Sequence, residues 1–285
     1  MARPLRIEFP GALYHVISRG LEKRKIFDST EDKEAFLKLL SKLHARYNFL
    51  IYAYCIMNNH YHLLVETLDG NLSQGIQNLN GPYAQMFNKK LPRSGPLFQG
   101  RYKAILVEKE SYLLELSRYI VLNPVRANLV ENPSDYTWSS YIDTIGLRDS
   151  QNFLATDFIL SLFSRNVAIA RREYRDFVYD GIGKIPPAAK GGIILGGEEF
   201  AVEIKELLKE KREIVEVPRR ERFSDRPSLS EIFIDIISRP TRNRQIYLAF
   251  KEYGYSQKEI GSLLGLRSST ISDIIKNIEL NAYHI

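Results

Sequence analysis

The chain has 285 residues, 44% of them hydrophobic and 26% charged, a balance that belongs to a globular protein of one large or two modest domains and excludes a fibrous or disordered one. Its longest apolar run, residues 49–57, falls far short of the ~20 residues that cross a bilayer, and the first eleven residues lack the apolar core of an export signal, so neither a membrane protein nor an exported one is expected. A net charge of +6 suits a polyanionic partner, while the single Cys55 excludes an internal disulfide and agrees with a cytoplasmic location.

In chain order, residues 13–18, short and β-branched after Pro10-Gly11, predict a strand. Ser29 or Thr30 can cap a helix whose apolar positions recur at Phe36, Leu39, Leu40 and Leu43. Residues 50–57 and 60–66 predict two strands joined at Asn58-Asn59 as a tight antiparallel hairpin. A helix over 72–88 follows, then a basic, glycine-bearing loop over 89–101, a strand over 102–107, and a helix from Ser111 onward through Leu113, Leu114, Leu116 and Ile120. The order βαββαβ with an added helix is solved most simply as an α+β, ferredoxin-like antiparallel sheet. Its helices cover one face and leave the other open to a ligand.

Farther along, residues 138–181 read as helix, 181–200 as a glycine-rich flexible connection and 198–215 as a charged, solvated helix. A polar, breaker-rich boundary at 217–227 precedes three or four short helices over 229–285. Three regions are expected: 1–145, a helical connecting region 146–224, and an all-α domain 225–285. Most of the positive excess sits in the first, which carries 18 Lys and Arg against 14 Asp and Glu.

The residues able to do chemistry lie in that first region. Side chains two apart on a strand share a face, so His60 and His62 present two imidazoles side by side, close enough to share a metal, while Tyr61 points into the opposite layer. On the late helix Glu115, Tyr119 and Asn123 recur every four residues along one stripe. Pro124 disfavours helical geometry at Asn123, which can instead cap a turn that starts at the proline. His15 and Arg19 close the first strand, next to the third in the expected sheet. There His15 either packs, touches DNA or supports a metal ligand.

His60-Tyr61-His62 after a hairpin, the run Leu97-Phe98-Gln99-Gly100-Arg101-Tyr102-Lys103 and the run Arg118-Tyr119-Ile120-Val121-Leu122-Asn123-Pro124-Val125-Arg126-Ala127 together resemble the single-tyrosine HUH transposases, most closely their REP-associated tyrosine transposase branch, over roughly residues 5–145. The resemblance implies a metal-dependent enzyme that cuts and rejoins single-stranded DNA, often folded as a hairpin. It implies Tyr119 as the nucleophile, His60 and His62 as metal ligands, and Asn123 as a third ligand with Glu115 as its rival. Tyr61 departs from the bulky apolar residue the family has there. A 5′-phosphotyrosyl bond and a free 3′-hydroxyl are the implied products of cleavage, and a homodimer that exchanges the tyrosine helix is one implied assembly.

The residue types suit that chemistry in themselves. Breaking a phosphodiester needs an in-line nucleophile and a cation that absorbs charge on the phosphate. An ordinary phenol is almost wholly protonated at neutral pH and needs assistance. Two imidazoles and an oxygen admit Mg²⁺, with Mn²⁺ the tighter binder. No Gly-x-x-x-x-Gly-Lys-[Ser/Thr] run is present, and a phosphotyrosyl bond that stores the energy for rejoining needs none. Arg19, Lys23, Arg24, Lys25, Arg101, Lys103 and Arg126 are candidate DNA contacts, since cations near aromatic rings suit single strands.

In residues 257–274, Gly261 stands where two helices touch, Gly265 where a turn is made, and Ile271 and Ile274 where a second helix is seated. The segment resembles the helix-turn-helix of replication initiators and sigma-like regulators, which implies that Arg267, Ser268, Ser269, Thr270, Ser272, Asp273 and Lys276 face DNA. Two other classes compete. One is a catalytically silent DNA-binding regulator or repeat-binding protein with the same fold, against which the presence of His60, His62 and Tyr119 together argues. The other is an RNA-binding ferredoxin-like module, whose RNP1 run is not evident.

Overall fold

The structure is a computed structural model and describes residues 7–91, 94–187, 189, 191–211, 227–234, 238–251 and 253–282. The first elements are β1 (Ala12–Arg19), α1 (Thr30–Tyr47), β2 (Phe49–Ile56), β3 (His60–Thr67), α2 (Leu72–Lys90), β4 (Lys103–Val107) and α3 (Lys109–Val121). These follow the expected order. The strands lie β2-β3-β1-β4 with each of these pairs antiparallel, the arrangement of a ferredoxin-like split βαβ sheet.

Local chemistry explains the frame. Ser29 and Asp32 cap the start of α1 reciprocally, and Lys90 at the end of α2 reaches the same Asp32 carboxylate at 2.8 Å, tying the two helices together. The face they cover is aromatic: the Phe36 ring lies tilted against Tyr61 at 4.7 Å between ring centroids and meets Phe27 and Tyr83 at 5.2 Å each. Tyr61 therefore points away from its flanking histidines, as strand alternation requires.

The second face is covered too, contrary to the sequence expectation. Leu13, Leu64, Ile105 and Val107 of the sheet share a core with Leu113, Leu116 and Ile120 of α3 and with Tyr141, Ile159, Tyr174 and Val178. The last four lie on α5 (Tyr141–Thr144), α6 (Thr156–Ser161) and α7 (Val167–Asp180), which follow the short α4 (Asn123–Arg126). Strands with apolar residues on both faces must bury both. The expected boundary at residue 145 is crossed by this core, so the helices after it belong with the sheet. The supposed flexible connection over 181–200 holds a short strand, β5 (Ile194–Leu195), which pairs in parallel with β4.

Two compact units result, one built on Arg6–Ala189 with Ile194–Gly197 and the other on Glu198–Ile285. The second opens with the charged helix α8 (Glu198–Lys211), and its α9 (Leu229–Ile232), α10 (Arg239–Lys251), α11 (Gln257–Leu264) and α12 (Ser268–Ala282) gather around Ile232, Phe233, Ile246, Ala249, Tyr255, Ile260, Ile271 and Ile275. The expected boundary at 217–227 lies largely outside the described residues. Among the described residues no helix is long and apolar enough to cross a membrane.

Candidate active site

Strand register builds the site. In the β1–β3 pair Ile17 faces His62 and Arg19 faces His60, so the residues of β1 that share the histidine face are His15, Ile17 and Arg19. His15 and His62 touch: Nε2 of the first lies 2.8 Å from Nδ1 of the second, and the rings stack at 5.1 Å. His60 stands beside them, its ring 5.0 Å from that of His62. Because α3 packs over this face, Tyr119 arrives at the same place. Its ring stands edge-on at 6.0 Å from His15 and 6.1 Å from His62.

Burial sets the charge state. His15 and His62 are only 3% and 5% exposed. Burial, with Lys103 nearby, pushes the His15 imidazole down to about 3. Burial holds His62 well below the ordinary histidine value, with His15 and His60 adding to the effect, and lowers His60 as well, helped by Arg19. At neutral pH all three rings are uncharged, as metal-binding imidazoles must be. Uncharged His60 and His62 on one face fit a divalent cation as a pair of nitrogen donors. Among the described residues no group of three or more His, Cys, Asp or Glu side chains is placed to hold a metal ion.

The two candidates for a third ligand are placed differently. Asn123 Nδ2 donates to the carbonyls of Tyr119 and Ile120 at 3.0 and 3.1 Å, closing the end of α3 behind the tyrosine while Pro124 starts α4. Glu115 is paired with Arg118, which also lies over the Phe177 ring at 4.3 Å. Arg126 has a more direct place than a general DNA contact: its guanidinium stands 5.1 Å from the centre of the Tyr119 ring and donates to the Lys184 carbonyl at 2.6 Å.

Around His60 three segments meet. Asn58 O accepts from the amides of Ile26 and Phe27, Asn59 O accepts from Gly20 N, and Leu21 N donates to Leu97 O. Arg19 Nε donates to Gln99 Oε1 at 2.6 Å. Arg19, Lys23, Arg24, Lys25, Arg101 and Lys103 are all exposed. Arg24 is paired with Glu22 and Lys25 with Asp28, weak surface pairs that an incoming phosphate can displace. Sequence reasoning quotes Asn59 and Gln99 without a role and leaves His15 undecided. The missing signal is the register that sets β1 against β3.

In the second unit Ser256 and Glu259 cap α11 reciprocally, and Gly265 ends it with a left-handed φ of 66°. A Cβ on Gly261 would lie 2.5 Å from the Leu266 carbonyl oxygen, the close approach expected there. Ile271 and Ile275 are buried, with Ile274 only partly so. Arg267, Ser268, Ser269, Thr270 and Asp273 are exposed and Ser272 is half-buried. The side chain of Lys276 lies outside what the structure describes.

Residues 9–123 match the family model described as "Transposase IS200 like", a span that takes in β1 to β4, both histidines and Tyr119 and ends on Asn123. Two solved structures are similar. The REP-associated tyrosine transposase bound to a REP hairpin is 16% identical, with a TM-score of 0.43 over 51% of this chain and 86% of that one. A putative transposase from Deinococcus radiodurans R1 is 17% identical, with a TM-score of 0.30 over 42% of this chain and 94% of that one. Comparison with the curated proteins finds no match.

Proposed function

We propose that this chain, whose residues 9–123 match the IS200-like transposase family model, cleaves and rejoins single-stranded DNA through a covalent bond to Tyr119. The observation that carries the reading is the meeting of one phenol with uncharged imidazoles: the Tyr119 ring lies 6.1 Å from that of His62, with His60 beside it. A pure DNA binder has no use for that grouping.

In the proposed reaction the Tyr119 phenol gives up its proton as its oxygen attacks the scissile phosphorus, the new P–O bond forms, and the bond to the 3′ oxygen breaks. That oxygen takes up a proton and leaves as a 3′-hydroxyl, and the 5′ phosphate stays on the tyrosine. Attack by a 3′-hydroxyl on this phosphotyrosine reverses the balance and rejoins the strand. His60 and His62 would hold Mg²⁺ or Mn²⁺, which when bound supplies positive charge to the phosphate oxygens. Arg126, over the ring face, orients the phenol and favours negative charge as it develops. Arg19, Lys23, Arg24, Lys25, Arg101 and Lys103, all exposed, suit a polyanionic strand.

We extend the proposal to the second unit. The α11–α12 pair, with exposed Arg267, Ser268, Ser269 and Thr270 at the start of the second helix, has the placement of a helix that enters a DNA groove.

Incubation with a labelled single-stranded hairpin oligonucleotide and Mg²⁺ or Mn²⁺, followed by a denaturing gel, tests the reading. The expected result is a protein-linked DNA band that vanishes in Tyr119→Phe. DNA retarded on a native gel but never cut would replace the enzyme with a DNA-binding regulator.

A further inference from the structure

We propose that Asn59 and His15 set the proton positions of the two imidazoles, holding His60 and His62 each in the tautomer that carries its hydrogen on Nδ1 and leaves Nε2 open. The inference rests on the cation reading of these histidines given above, and it concerns residues for which that reading has no role.

For His60 the hydrogen bonds leave one answer. Asn59 Nδ2 donates to the Lys23 carbonyl at 3.1 Å, and because a carbonyl only accepts, that bond fixes which end of the amide faces which way. The other end, Oδ1, is 2.6 Å from His60 Nδ1. An amide oxygen also only accepts, so the hydrogen sits on His60 Nδ1 and the lone pair on Nε2.

His62 has an imidazole as partner, and the 2.8 Å between His15 Nε2 and His62 Nδ1 holds one hydrogen that either ring can own. If His15 donates, the only hydrogen of His62 is on Nε2 and the ring has no lone pair left for a cation. If His62 donates, its Nε2 is open in the same sense as that of His60. Only the second assignment makes the two rings a matched pair of ligands, with the hydrogen-bonded nitrogen near the strand and the open one at the far end of each ring. At 3% exposure for His15 and 5% for His62, water has little access to compete for the bond. Metal-binding histidines characteristically donate their other ring hydrogen in this way. Asn59 and His15 are thus positioning residues, acting through the histidines they hold.

The test uses the full-length chain with ¹⁵N-labelled histidine, in which only five histidines contribute signals. Two-bond ¹⁵N–¹H correlations on metal-free protein report which ring nitrogen carries the hydrogen. The expected result is Nδ1–H on both His60 and His62; His15→Leu moves His62 to Nε2–H and leaves His60 unchanged, and Asn59→Ala does the reverse. A wild-type His62 protonated on Nε2, or one indifferent to His15→Leu, overturns the proposal. Mn²⁺ binding, read from the electron paramagnetic resonance of the free ion, is the second measurement. His15→Leu weakens it roughly ten- to hundredfold, while His15→Gln, whose oxygen accepts the same hydrogen, stays within about threefold of wild type; unchanged affinity in His15→Leu overturns the proposal. Should His15→Leu fail to fold by circular dichroism, Asn59→Asp, which keeps an acceptor, must retain the His60 tautomer that Asn59→Ala loses, and His15→Gln must retain that of His62. Mn²⁺ binding that survives both His60→Ala and His62→Ala overturns the cation reading itself, and the metal-free spectrum separates that failure from a failure of the tautomer assignment.

Discussion

Protonating a buried imidazole means bringing a charge into a place water does not reach, and the site contains two such rings, His15 and His62, beside a half-buried third, His60. For His15 the folded value, about 3, lies beneath the ordinary 6.5 of the unfolded chain, so below pH 6.5 the unfolded state binds the extra proton. The stability is therefore complete above that pH and is lost as the pH falls toward 3. Between pH 7.5 and pH 5, His15 alone should remove about 2 kcal/mol from the unfolding free energy. Urea titrations at the two pH values measure this, and His15→Leu should flatten the dependence; an unaltered slope would mean His15 is not buried as a neutral ring. Arg126 makes a separate prediction. A guanidinium over an aromatic ring at a wet site is worth about 0.5–1 kcal/mol, so Arg126→Ala should slow formation of the protein–DNA adduct roughly two- to fivefold. Single-turnover rates alongside filter binding check that the loss lies in the rate and not merely in affinity.

Among the elements, two glycines hold backbone segments closer than any side chain permits. A Cβ on Gly20 would sit 2.1 Å from the Arg24 carbonyl oxygen and 2.9 Å from Ile26 Cγ2, within the turn that docks on the β2–β3 hairpin tip. Gly20→Ala should cost about 1–3 kcal/mol by overpacking, read by urea unfolding, and should reduce adduct formation further because the turn also supplies the Lys23 carbonyl that orients Asn59. Gly261→Ala meets the Leu266 carbonyl at 2.5 Å and should destabilise only the second unit, leaving cleavage of a short oligonucleotide at the wild-type rate. Equal damage to cleavage from both variants would contradict the division of labour proposed for the two units.

For the molecule as a whole, the division falls after Gly197 rather than at residue 145. The parallel pairing of Ile194 with Leu106 and of Leu195 with Val107, with the amide of Gly197 held by Glu108 at 3.0 Å, makes β5 part of the sheet. A chain ending at residue 197 should keep the melting temperature of the first unit and its cleavage of short single strands, while losing affinity for duplex DNA. A chain ending at residue 189 should melt lower, because the β4 edge loses its partner. Thermal scans and gel-shift titrations on the two truncations decide between these outcomes.

Much was legible beforehand at the level of pattern. The short apolar, aromatic and β-branched runs at residues 13–18, 50–57 and 60–66, the capped helix at Ser29 and the helical run at Leu113 to Ile120 carry the order of the sheet domain, because these patterns are local properties. His60 and His62 stand out by residue type and spacing, Tyr119 by the motif that carries the family resemblance, and Gly261 and Gly265 mark a turn that needs no distant partner. The second sheet face offered no such signal. Tyr141, Tyr174 and Val178 look like ordinary helix residues until the core that joins them to Leu64 and Ile105 exists, and Ile194-Leu195 is too short to read as a strand without β4 beside it. His15 could be set beside the third strand but not matched to His62, since that partner lies 47 positions away. Sequence alone determined which residues are able to do the chemistry; tertiary structure decided which of them meet, because contact between distant positions follows from strand register and helix packing, and neither is written in any short stretch of chain.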